Sequence, residues 1–224
     1  MALASPMISI EVPNWEPILK YGEPIKYKDG ELIVDIGDVV KNIYFLQTGQ
    51  VKMSAITSVG MEKVIWYLNA PNVFGEVPFF HKQPSRHIIS AAEDTVVYSF
   101  SLDFFLKHIS DYPDIMLFLY KLLAQKVRVI TNQIEDLCTS NPGVRLAKLL
   151  YLMAHQNGKK LADNKYLIDI KLTHQELANI SGLHRVTTSN ILKKLSEEKI
   201  IEKSRNKIIV NDMDGLYKLI LESE

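Results

Sequence analysis

The 224-residue sequence predicts an α+β chain built in three parts. They are an antiparallel β-roll of jelly-roll type over residues 1–113, a long dimerisation helix with a hinge over 114–141, and a winged helix-turn-helix over 142–224. Three observations carry this. Short Ile-, Val-, Tyr- and Phe-rich runs are punctuated by Gly30, Gly37, Gly49, Gly60 and Gly75. An uninterrupted stretch follows with apolar residues at alternating spacings of four and three. Last come a capped short helix, a glycine turn, a longer helix and two short apolar runs.

In the first part, Ile43–Leu46 and Val51–Met53 flank Gln47-Thr48-Gly49-Gln50, which reads as a hairpin with glycine in the turn. Val64–Leu68, Ile88–Ala91 and Val96–Phe100 continue the strand pattern. Many short strands at regular spacing predict an antiparallel barrel or sandwich.

The second part lacks Gly and Pro from Asp114 to Leu137. Met116, Tyr120, Leu123, Val127, Ile130, Ile134 and Leu137 occupy a and d positions over three heptads, the pattern of a two-stranded coiled coil. This stripe is narrower than a core-facing helix needs, so a homodimer is expected. Asn141-Pro142-Gly143 then breaks the chain.

The third part opens with an amphipathic helix over Arg145–His155. Thr173 caps a second helix, with Glu176 three residues on completing a capping box. Gly182 ends it, and a longer helix runs from about Arg185 to Lys199. This is helix-turn-helix spacing, and residues 200–210 read as a two-stranded wing with a basic tip at Ser204–Lys207. The longer helix is expected to expose Arg185, Thr187, Thr188, Ser189 and Asn190 in its first turns. Arg grips guanine bidentately, Asn reads adenine, and Thr meets phosphate or a thymine methyl. Lys193 and Lys194 extend the basic side, and Ile191, Leu192 and Leu195 supply the buried face.

Composition narrows the function classes. Hydrophobic residues make up 47% and charged residues 23%, the balance of a soluble folded protein. No apolar run approaches membrane-spanning length, and the N-terminus is a poor signal peptide. Cys138 is the one cysteine, which excludes an internal disulfide, a Cys-based zinc site and a Cys-ligated iron–sulfur cluster within a single chain. A cytoplasmic protein without membrane partners is expected. The formal net charge is zero, yet residues 1–141 hold 12 Lys+Arg against 16 Asp+Glu, and residues 142–224 hold 14 against 10. A basic C-terminal part suits a polyanion, here double-stranded DNA. The absence of a P-loop, Gly-x-Ser-x-Gly or His-Glu-x-x-His argues against an enzyme.

The order of parts resembles the CRP/FNR family of bacterial transcription regulators. Gly37-Asp38, Ile43–Leu46, Gly49, Val51, Phe74-Gly75-Glu76 and Ser85-Arg86 carry the resemblance in the β part. Thr173–Ala178, Gly182, Arg185, Thr187 and Ile191–Leu195 carry it in the C-terminal part. Leu183–Thr187 and Asn206–Val210 are also similar to regulators of halogenated-aromatic respiration.

The resemblance implies an effector-responsive homodimer on an inverted-repeat promoter site, with RNA polymerase as a partner if it activates. It also implies an effector cradle in which Gly75 and Glu76 hold a ribose and Arg86 pairs a phosphate. His87 replaces the small or hydroxylic residue expected after that Arg, and Thr131 and Asn132 stand nearest the adenine-reading pair. The small-molecule effector stays open among three classes. A cyclic nucleotide would use the cradle just named. Haem would use His81 or His87, and a small aromatic would sit among Trp66, Tyr67, Phe79, Phe80 and Tyr120, which read equally as core.

For DNA the resemblance implies Arg185 in the groove, with Val186 where the family has Glu and Asn190 where it has a second Arg. Valine favours a thymine methyl over cytosine N4. Thr173, His174 and Gln175 at the first helix N-terminus, Lys193, and Arg205 and Lys207 on the wing would meet phosphates. The alternative is a cyclic-nucleotide-type regulatory or scaffold protein whose C-terminal domain binds protein.

Overall fold

The computed structural model describes residues 5–139, 141–161, 165–168, 173–204 and 207–221. The chain divides into a β unit, Met7–Gly60 with Ile65–Val127, and a C-terminal unit, Met1–Pro6, Met61–Val64 and Arg128–Glu224.

In chain order the first elements are β1 (Met7–Ile8), α1 (Glu16–Leu19), β2 (Glu23–Tyr27), β3 (Leu32–Val34), β4 (Asn42–Thr48), β5 (Gln50–Ile56), β6 (Glu62–Asn69) and β7 (Asn72–Phe74). Next are α2 (Glu76–His81), β8 (Ile88–Ala91), β9 (Thr95–Ser101) and α3 (Leu102–His108). They form two sheets, ordered β1-β6-β5-β8-β3 and β2-β9-β4-β7. The pairs β2–β9, β3–β8, β4–β7, β4–β9 and β5–β8 are antiparallel, and the two-residue β1 runs parallel to β6. Ile43, Leu46, Val51, Leu68, Phe74, Val97 and Phe100 supply the core, and Trp15 stacks on Phe45 at 4.6 Å between ring centroids.

The expected hairpin at Gln47–Gln50 is not one. β4 and β5 are consecutive strands that do not pair, because β4 already has β9 on one edge and β7 on the other. Residue 49 instead carries the chain from one sheet to the other. Gly49 has φ +89°, and a Cβ there would lie 2.7 Å from the Asp94 carbonyl oxygen, so both backbone conformation and space require glycine. The strand-like reading also passed over α2 and α3. Ser101 caps α3, accepting from Phe104 N.

The long helix α4 runs Pro113–Thr139, 27 residues. It bears two apolar stripes. Ile115, Phe118, Leu119, Leu122 and Val129 are buried. The heptad stripe is not: Tyr120 is 62% exposed, Val127 59% and Ile134 56%, and Met116, Ile130 and Leu137 are also exposed, with Leu123 half-buried.

The remaining elements are α5 (Pro142–Asn157), β10 (Lys159–Lys160), β11 (Tyr166–Ile168), α6 (His174–Ser181), α7 (Arg185–Glu197), β12 (Ile201–Ser204), β13 (Lys207–Val210) and α8 (Met213–Leu221). Asn141 caps α5 and Pro142 begins it, so the break in the sequence is a helix start. The expected hairpin forms between β12 and β13, extended by β11 and β10 into a four-stranded sheet. The helix α8 packs on α5, with Tyr151 and Tyr217 rings 5.7 Å apart.

Candidate functional site

The candidate residues fall into two main groups, one in each unit. In the C-terminal unit the capping box forms as expected. Thr173 Oγ1 accepts from Glu176 N at 3.1 Å, and Glu176 Oε2 accepts from Thr173 N at 2.6 Å. Gly182 takes φ +66° at the turn, where a side chain would be strained. The helix α7 then presents Arg185, Val186, Asn190, Lys193 and Lys194 to solvent, with Thr187 half-buried. Val186 is 71% exposed, so it belongs to the outward face and not to the core.

Thr188 does not join that face. It is fully buried, and it lies on the stripe of Leu192 and Leu195 by helical spacing of four and three. Ile191, expected in the core, is half-buried. Gln175 is exposed and bonds Asn179 within its own helix at 2.7 Å. Lys207 is exposed at the start of β13, while Arg205 lies outside the described residues.

His174 does more than stand at a helix N-terminus. Its Nδ1 meets Ser189 Oγ on α7 at 2.7 Å, and its Nε2 accepts from Lys203 Nζ on β12. One imidazole therefore ties the first helix, the recognition helix and the wing. Burial holds its pKa below the ordinary 6.5, and the cations Lys203 and Arg185 add to this. The folded state thus binds fewer protons here than the unfolded state. The contribution to stability is complete above pH 6.5 and is lost as pH falls below it toward the folded value. His174→Gln removes that titration, so its melting temperature should fall less than the wild type's between pH 7.5 and 5.5. Parallel slopes in a thermal melt series would remove His174 from this role.

In the β unit, Gly75 has φ +86° and begins α2, and its absent Cβ would meet the Tyr44 ring at 2.9 Å. Glu76 is 2% exposed, and its two carboxylate oxygens accept from Lys126 Nζ of α4 at 2.8 and 2.9 Å. Lys126 is itself buried. It also reaches the Val73 carbonyl at 3.3 Å and lies 4.8 Å from the centroid of the Trp66 ring. Sequence reading passed over Lys126, since nothing local marks a lysine 50 residues from its partner.

Arg86 is exposed, and among the described residues it forms no ion pair. Beside it His87 is half-buried, and burial together with Arg86 lowers its pKa. Trp66, Tyr67 and Phe79 are core residues, while Phe80 and Tyr120 are exposed. His81 is exposed at the end of α2. Thr131 bonds its own helix at the Arg128 carbonyl, and Asn132 lines a cleft of the C-terminal unit. Among the described residues no group of His, Cys, Asp and Glu could hold a metal, and no helix is long and apolar enough to cross a membrane.

Comparison with known proteins finds two matching domains. Residues 24–112 match the cyclic nucleotide-binding domain and residues 144–219 the Crp-like helix-turn-helix domain. The global nitrogen regulator of Synechococcus elongatus is 29% identical over 187 residues, 83% of this chain and 84% of that protein. The cAMP-activated global transcriptional regulator CRP of Pasteurella multocida is 26% identical over 206 residues, covering 88% and 94%. Among solved structures, OCPA-complexed CprK superposes with a TM-score of 0.78 at 25% identity, covering 94% of this chain and 97% of that one. With a cyclic nucleotide-binding domain followed by a Crp-like helix-turn-helix, and with such relatives along nearly its whole length, the chain belongs to the CRP/FNR family of effector-responsive DNA-binding transcription regulators.

Proposed function

We propose that the protein acts as a homodimer on an inverted-repeat promoter site, with α4 as the dimer seam. Residues 1–113 sense the effector, 114–141 couple the change and 142–224 bind DNA. The observation that carries the reading is the pair of stripes on α4, one buried in its own chain and one, at coiled-coil spacing, exposed. Two-fold symmetry then sets two copies of α7 on half-sites about one helical turn apart. The effector cradle is Gly75, Glu76 and Arg86, with Lys126 holding Glu76 in place. The protein works in the cytoplasm and catalyses no reaction, and RNA polymerase is its partner where it activates.

Arg185, Val186 and Asn190 read bases, and Lys193 meets phosphate. Arg185→Ala should cost about 1–3 kcal/mol on the best site and relax one G·C pair per half-site. Lys193→Ala should weaken all sequences alike and lower the salt slope by about 1 per phosphate contact. Val186→Glu should move the neighbouring base pair from T·A toward a cytosine whose N4 donates to the carboxylate. Selection from a randomised half-site checks all three. A motif unaltered by Val186→Glu would place Val186 outside the groove, and absence of salt-sensitive DNA binding would favour a protein-binding C-terminal domain.

A further inference from the structure

The hydrogen bonds of His174 assign the proton on its ring. An ammonium group only donates, so the contact with Lys203 Nζ makes His174 Nε2 an acceptor. A neutral imidazole carries one N–H, which is then on Nδ1 and donates to Ser189 Oγ at 2.7 Å. Burial keeps this ring neutral at neutral pH, and the charged groups acting on it, Lys203 of β12 and Arg185 of α7, are both cations that work the same way.

Ser189 therefore accepts with its oxygen and keeps its own proton. Ser181 on α6 gives its hydroxyl proton to the Leu177 carbonyl at 2.6 Å, as helical serines commonly do. Ser189 has no such acceptor among the described residues. Lys203 is exposed, gives one of its three N–H groups to His174, and pairs with no carboxylate among the described residues. A hydroxyl proton and the rest of an ammonium group are thus held on either side of one ring, with no acceptor for either among the described residues.

Their place in the fold says what supplies the acceptors. Ser189 stands four residues after Arg185 and four before Lys193, on the same side of α7 as these two exposed cations. Lys203 is on the wing strand β12, joined to that side through the imidazole. Donors set among cations on this side of the helix-turn-helix suit the oxyanions of a DNA backbone.

We infer that His174 is a positioning residue for DNA, whose neutral ring, protonated on Nδ1, aims the Ser189 hydroxyl and the Lys203 ammonium at backbone phosphates beside α7. His174 itself does not touch the DNA, and Lys203 is a phosphate contact supplied by the wing. The inference rests on the reading of α7 as the DNA-facing helix.

The test is a set of double-mutant cycles in DNA anisotropy, using the duplex that the wild-type protein selects from a randomised half-site. Ser189→Ala should weaken binding about 10-fold and leave the salt slope unchanged, because the lost group is neutral. Lys203→Met should weaken it by a similar factor and lower the slope by about 1. Two substitutions at His174 separate the arms, because each amide copies one ring nitrogen. In His174→Asn the amide nitrogen stands where Nδ1 was and still donates to Ser189, so Ser189→Ala should keep its full effect while Lys203→Met loses most of its own. In His174→Gln the amide oxygen stands where Nε2 was and still accepts from Lys203, so the two effects should exchange. Nitrogen NMR of the free wild-type protein at pH 7.5 should show the His174 proton on Nδ1. A proton on Nε2, or the same Ser189→Ala and Lys203→Met effects in both His174 backgrounds, would overturn the assignment. So would Ser189→Ala and Lys203→Met proteins that bind DNA as the wild type does while Arg185→Ala binds it weakly, which leaves α7 on the DNA. Normal binding by Arg185→Ala as well would remove that reading of α7 and the assignment with it.

Discussion

Ile130→Glu should turn the dimer into a monomer. Ile130 stands mid-seam on α4, among exposed Val127 and Ile134 and away from the buried stripe of Leu122 and Val129. A carboxylate buried without a partner costs about 3–5 kcal/mol. The isoleucine burial lost with it removes about 1.5–3 kcal/mol more. Both effects occur once per chain, so the dimer loses on the order of 10 kcal/mol. That is most of the roughly 12 kcal/mol that holds a nanomolar complex together.

The fold of each protomer should survive, because the substituted position is exposed within its own chain. Each protomer would then bind one half-site without the second, and apparent DNA affinity should fall by about 10²- to 10⁴-fold. Light scattering reads the assembly and anisotropy the DNA. Arg128→Glu, exposed on the same helix off the seam, should stay dimeric. An Ile130→Glu protein that remained dimeric would show that the exposed stripe is not the seam.

Features decided within a few residues were legible in the sequence. The capping box at Thr173 and the glycine turn at residue 182 follow from local spacing, and each has its expected form, while the heptad stripe on α4 stands as a second apolar face, mostly exposed in its own chain. The face that α4 buries, at Ile115, Leu119, Leu122, Lys126 and Val129, has the same alternation of four and three, so spacing alone did not say which stripe faces the chain's own core. Thr188 was misplaced by composition, since its hydroxyl suggested a DNA contact. Its spacing to Leu192 and Leu195 already put it on the buried side.

Long-range pairing was less accessible. Gly49 marks a turn, but the sequence does not say whether a turn returns a strand to its own sheet or passes it to another. That depends on which strand edges are already taken, here those of β4 by β7 and β9. The charge pairs of Lys126 with Glu76 and Lys148 with Asp136 were hidden for a related reason. A lysine on a helix reads as solvated until the fold is known. His174 likewise read as a phosphate contact, because its partners Ser189 and Lys203 lie 15 and 29 residues away.

Lys126→Met should destabilise the β unit strongly. In the folded protein Lys126 and Glu76 are almost completely removed from water, and each oxygen of the carboxylate is held by the same ammonium group. Removing the lysine leaves a buried carboxylate whose hydration is not restored, at a cost of about 3–5 kcal/mol. For a unit of this size that corresponds to a fall in melting temperature on the order of 10–20 °C. The loss comes from the stranded charge, not from the missing side-chain volume, since methionine fills similar space and keeps the contact with Trp66 apolar. Glu76→Gln added to Lys126→Met should therefore recover most of the stability, because the neutral amide no longer needs a cation. Glu76→Gln alone should cost less than Lys126→Met, as the ammonium keeps the Val73 carbonyl and the Trp66 ring. A double-mutant cycle in thermal and urea unfolding measures the coupling directly. Additive losses would mean that Glu76 is hydrated in solution and that Lys126 is not what holds it.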